Sequence, residues 1–104
     1  MAELTPSLKS KSTSFAGADT KLLILEVAIG SSEDVVTINP ADYNISSVKA
    51  ATAIISNGAD ADLAFIVAHA SGNAVRLYTY EDDGSTPASD FTNASGVLNV
   101  YCEL

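Results

Sequence analysis

The sequence has one cysteine, one histidine and no tryptophan in 104 residues. These scarcities exclude a disulfide scaffold and a zinc site built on several Cys and His residues. They also exclude any Ser-His-Asp site that does not converge on His69. Bases are scarce too, five against thirteen acids, giving a net charge of −8 and a pI near 4.2. Phosphate backbones are gripped by basic stripes, so nucleic acid is not an expected partner. No apolar run reaches the roughly 18 residues of a membrane-crossing helix, so no membrane association is expected either.

What is present suits one small core. Hydrophobic residues make up 47% of the chain and charged residues 17%, with a mean hydropathy of +0.22, too apolar for a disordered chain of 10.7 kDa. Residues 1–20 contain Ser7, Ser10, Ser12, Thr13 and Ser14 and no central apolar block, which predicts a flexible N-terminal arm and no secretory signal. Up to residue 21 the bases Lys9, Lys11 and Lys21 outweigh Glu3 and Asp19 by one charge. Beyond it Lys49 and Arg76 face eleven acids, a net of −9. Cys102 reads as a buried thiol in a strand.

From Lys21 onward, short apolar runs are broken by Gly, Asn, Asp and Ser about every ten residues, the rhythm of an antiparallel all-β sandwich or barrel, jelly-roll-like arrangements included. Residues 21–104 are therefore expected as a single β domain. Leu23, Leu25, Val27 and Ile29 alternate on one inward face of the first strand. Val35 to Ile38 is a short or edge strand stopped by Asn39-Pro40. Ile45 to Ser56 fits a strand through Val48, Thr52, Ile54 and Ile55, or a helix capped by Ser47. The turn signal Asn57-Gly58 favours a strand, joined by a hairpin or meander to the next run, Asp62 to Ala70.

Gly72-Asn73 then makes a hairpin with Val75 to Tyr80. A three-residue loop is the preferred register because it sets Phe65 and Val67 with Thr79 and Leu77, gathering the larger aliphatics. Arg76, Tyr78 and Tyr80 then share the opposite face, a candidate subunit interface of hot-spot residue types. Glu81 to Asn93 reads as a polar loop anchored by Phe91. Val97 to Glu103 is a final strand with Leu98, Val100 and Cys102 inward.

Candidate chemistry is sparse. Asp60/Asp62 and Glu81/Asp82/Asp83 carry hard oxygen ligands but lack a calcium-loop order, and read as solvated charge; no metal or cofactor is expected. His69, ending a strand face, reads as packed rather than catalytic. Tyr43, Tyr78, Tyr80 and Tyr101 suit a subunit interface or a sugar-stacking face. Asn44-Ile45-Ser46 and Asn93-Ala94-Ser95 match the glycosylation pattern by coincidence.

The run Lys21-Leu22-Leu23-Ile24, the stretch VKAATAIISNGADADLAFIVAHASGNAVRLYTY and the ending GVLNVYCEL resemble small structural proteins of tailed bacteriophages, especially head decoration or cement proteins. The resemblance spans roughly residues 20–104 and consists of strand rhythm and loop composition, so no functional residue carries over. It implies a non-enzymatic homotrimer on the capsid exterior that binds the major capsid protein, made in the host cytoplasm. Leu4, Leu8, Lys9, Lys11 and Phe15 are then candidate capsid-contacting residues of the arm. The alternatives are a small ligand- or carbohydrate-binding β module, or another virion position such as neck or tail.

Overall fold

Period-two alternation decides the architecture: each strand has one face that must leave water, and two sheets satisfy that by facing one another. The computed structural model describes residues 2–11, 20–57, 65–81 and 83–104. In chain order the elements are β1 (Ala2–Glu3), β2 (Ser7–Lys11), β3 (Thr20–Ala28), β4 (Glu33–Thr37), α1 (Pro40–Tyr43), β5 (Ser47–Asn57), β6 (Phe65–Ser71), β7 (Ala74–Tyr80) and β8 (Ser95–Glu103). They form two four-stranded sheets, β1-β4-β7-β6 (sheet A) and β2-β3-β8-β5 (sheet B). All pairings are antiparallel except the two-residue β1–β4 contact. The fold is a sandwich, not a closed barrel.

The core lies between the sheets. Leu23, Leu25 and Val27 of β3 and Leu98, Val100 and Cys102 of β8 face Val36 of β4 and Val75 and Leu77 of β7, all almost completely buried. β3 and β8 pair residue for residue from Thr20↔Glu103 to Ala28↔Ser95, so their inward sets lie side by side. Phe91 packs on this core from the loop before β8, as its sequence predicts.

Ile45 to Ser56 resolves as strand, β5, but its expected hairpin with the next run does not form. β5 pairs with β8 in sheet B, while β6 pairs with β7 in sheet A, so the chain crosses between layers. The Gly58 end of the proposed turn lies outside the described residues. Burial accompanies the crossing: β5 turns Ala51, Ala53 and Ile55 toward the core and β6 contributes Ala68, and the alanines let the two edges approach.

The β6–β7 turn also differs from expectation. Ser71 pairs with Ala74, leaving a two-residue Gly72-Asn73 turn, and the register sets Phe65 against Tyr80 and Val67 against Tyr78. Gly72 has φ +60, the positive value a tight primed turn needs at its first central residue and glycine supplies at little cost. The Asn73 carbonyl further locks the turn by accepting from Ile38 N at 2.8 Å. The shift of one residue also corrects His69: it pairs with Arg76 and is exposed rather than packed.

Of the arm expected over residues 1–20, Ala2–Glu3 and Ser7–Lys11 are strands laid along the two sheets, one on each. The free N–H and C=O groups beside β4 and β3 demand partners, and these residues provide them, Leu4 N reaching Val35 O at 2.8 Å. Residues 12–19 lie outside the described residues. The single-turn α1 was not foreseen, although Asn39-Pro40 signals it: the Asn39 side chain accepts from Ala41 N, and proline needs no donor at the first helical position. Asn44 ends it at φ 55, and Asn93 turns into β8 at φ 56. A left-handed backbone accounts for asparagine at both places.

Replacing Leu98, fully buried, by alanine should lower the unfolding free energy by about 3 kcal/mol. Ile54→Ala, at a position 59% exposed, should change it by less than about 0.5 kcal/mol. Urea titrations of the two variants measure the contrast.

Candidate interaction surface

The strand β7 alternates Val75, Leu77 and Thr79 inward with Arg76, Tyr78 and Tyr80 outward, so the three residues predicted as an interface do share one face. On the outer side of sheet A they adjoin Glu33, which pairs with Tyr78, and His69 and Val35, which flank Arg76. Beside this stripe a small, open cleft of about 60 Å³ is lined by Ser32, Glu33, Tyr78, Thr79, Tyr80 and Pro87.

Two buried polar residues that were not recognised as structural set the cleft wall. Asp34, fully buried, accepts from Gly30 N at 3.1 Å, Ser31 N at 3.2 Å and Ser31 Oγ at 2.6 Å. Its carboxylate thereby folds the turn that delivers Ser32 and Glu33. Thr79, also buried, then holds that turn against β7, its N–H donating to Ser32 O at 3.1 Å and its hydroxyl to Ser31 O at 3.3 Å. In sequence Asp34 looks like one more surface acid; only its offset of three and four residues from Ser31 and Gly30, after a Gly-Ser-Ser run, hints at a turn-closing carboxylate.

The opposite wall comes from the polar loop. Tyr80 bridges to Pro87, Glu81 N donates to Thr86 O, and Ala88 N returns to Thr79 O, folding the loop back onto the strand end. Asp83 organises its tip, accepting from Ser85 N at 2.9 Å, Thr86 N at 2.8 Å and the Thr86 hydroxyl. The Thr86 side chain, followed by the Thr86 and Ser85 backbone donors, holds the Asp83 carboxyl below the ordinary aspartate value. That acid therefore caps its own loop. Asp60, Asp62 and Asp82 lie outside the described residues. Among the described residues no group of three or more His, Cys, Asp or Glu is arranged to hold a metal ion.

The other candidates are dispersed. The tyrosines do not form one face: Tyr78 and Tyr80 lie on sheet A and Tyr101 on the outer side of sheet B. Tyr43 packs partly against the core from α1. Leu4 packs partly on the core, and Leu8 is 46% exposed on β2. Lys9 and Lys11 belong to the β2 backbone, and Phe15 is outside the described residues. Lys21, counted with the cationic start, is buried and donates to Tyr43 O at 2.7 Å. It pairs with Cys102 across β3 and β8, where burial pushes the thiol up and Lys21 offsets this in part.

No protein-family profile, curated protein or solved structure matches the chain.

Asp34→Ala removes the buried carboxylate that three donors of the Gly30-Ser31 turn share and should cost about 2–3 kcal/mol in a denaturant titration. For Asp83, the folded form holds its proton less tightly than the unfolded chain. Its contribution to loop order is therefore present above the ordinary aspartate value and lost as pH falls through the lower, folded one. Amide shifts of Ser85 and Thr86 followed by NMR should titrate together with a midpoint below that of a model aspartate, and Asp83→Asn should abolish the transition.

Proposed function

We propose that the chain is a non-enzymatic structural protein of a tailed-phage virion, a decoration or cement protein that binds the outer surface of the major capsid shell. The observation that carries the reading is the outward Arg76, Tyr78 and Tyr80 stripe of β7, set on a two-layer sandwich and braced by Asp34 and Thr79. A protein that clamps shell subunits needs a stiff platform presenting large amphipathic side chains; Tyr supplies contact area with few rotamers to freeze, and Arg a planar cation. The acidic loop tip beside the stripe adds a charge against which basic shell residues can register. The arm contributes by the same logic: Leu8 stands exposed on β2, and a strand at a sheet edge is where an extended partner segment can add.

A second reading draws on the cleft. Tyr78, Tyr80, Pro87 and Glu33 are among its lining residues, rings and a carboxylate of the types that stack on and hydrogen-bond a sugar. Titration of a glycan panel separates this reading from the first.

The test of the shell reading is co-sedimentation with shells stripped of their decoration layer, taken from the phage that encodes the chain. The wild-type protein should pellet with the shells, and Tyr78→Ala should weaken binding about 30-fold, the loss of one interface hot spot. No binding by the wild type, or equal binding by Tyr78→Ala and Arg76→Ala variants that keep the native circular-dichroism spectrum, contradicts it.

A further inference from the structure

The outer side of sheet B departs from the composition expected of a solvent face. The register sets three rows across β3, β8 and β5: Leu22, Tyr101 and Ala50; Ile24, Asn99 and Thr52; and Glu26, Val97 and Ile54. An antiparallel sheet with one wet face ordinarily turns polar side chains outward, yet here Ile24 and Val97 are half-buried and Ile54 is 59% exposed. Five of the nine side chains in the three rows are large and apolar or aromatic.

Charge identifies the occupant. The chain carries thirteen acids and a net charge of −8. Of the described acids only Glu26 and Glu103 belong to strands of sheet B, and Glu103 is met by Lys49 at 3.3 Å. Two copies approaching through sheet A bring Glu33, Glu81 and Asp83 together, with Arg76 the one basic side chain of β7 among them, and repel; through sheet B they meet on an almost neutral, apolar surface. A basic partner would select the acidic side instead. Size fits as well: four strands about 4.8 Å apart, of five, nine, nine and eleven residues at about 3.3 Å each, span roughly 540 Å². Two such faces pass the roughly 1,000 Å² of a specific interface.

We infer that the outer face of sheet B is the surface on which a second copy of this chain docks, sheet against sheet about a two-fold axis. With the axis across the strands at the middle row, Ile54 of one copy lies over Ala50 of the other and Tyr101 over Val97. Along β5 and β8 large side chains thus meet smaller ones, as packed sheets require, and along β3 Leu22 lies over Glu26. The pairing does not depend on the shell reading and leaves the Arg76–Tyr78–Tyr80 stripe outward on both copies. It also moves the self-association surface from that stripe, which was the candidate subunit interface, to the opposite sheet.

The experiment is light scattering on a sizing column over a wide concentration range, in low and moderate salt. The expected mass is twice the 10.7 kDa chain, with dimerisation strengthened by salt as the −8 charges are screened. Ile54→Asn and Ile54→Glu, at an exposed position that folding does not need, should raise the dimer dissociation constant at least tenfold. Arg76→Glu on the other sheet should leave it within threefold. A monomer at all concentrations, a trimer, or a dimer insensitive to both Ile54 variants but lost in Arg76→Glu would overturn the inference, whatever the outcome of shell binding.

Discussion

Everything in this molecule depends on the contact between the inward ladder of β3 and β8 and the inward faces of β4 and β7. Leu23, Leu25 and Val27 lie beside Leu98, Val100 and Cys102, and the six fill the space opposite Val36, Val75 and Leu77. Because a strand's faces alternate, burying this set fixes what the remaining residues face. Arg76, Tyr78 and Tyr80 must point away from the core on one side, and Ile24, Asn99 and Val97 on the other. The two outer surfaces are consequences of one packing decision, and a slip of one residue in β3 or β7 would exchange core and surface.

The interior also holds polar groups that position the periphery. Asp34 ties the turn before β4, Thr79 ties that turn to β7, and Lys21 ties the start of β3 to the end of α1 through Tyr43 O. Among the described residues each buried polar side chain thus has a partner, which offsets the cost of removing it from water. The resulting division of charge is uneven. Acids gather around sheet A and its loop, and sheet B is nearly neutral, so the two faces suit different partners.

Much of the fold was legible because alternation is a local signal. The inward sets of β3, β7 and β8 and the anchoring role of Phe91 all follow from reading every second residue. The errors arise where a local signal competes with a distant one. A three-residue loop at Gly72-Asn73 gathers larger aliphatics on paper, but it ignores the positive φ of Gly72 and the alanines needed where β6 nears β5. The hairpin expected between β5 and β6 is overruled by pairing with β8, forty-odd residues further along, which no short window records. Lys21 was only counted with the cationic start and Asp34 was not singled out, because type alone places ions in water; their burial rests on acceptors and donors that only the folded chain assembles. The candidate site was half legible. The Arg76, Tyr78 and Tyr80 stripe emerged from alternation, whereas the cleft beside it needs the return of Pro87 onto Tyr80.

The central claim is that the stripe of sheet A meets the shell while the sandwich stays intact. Hydroxyl-radical footprinting of the protein, free and bound to stripped shells, tests it at the side chains themselves. The account predicts that Tyr78 and Tyr80 lose most of their oxidation on binding while Tyr43, packed beside the core, keeps its free-state rate. Unchanged oxidation of Tyr78 and Tyr80 in a bound sample would contradict it.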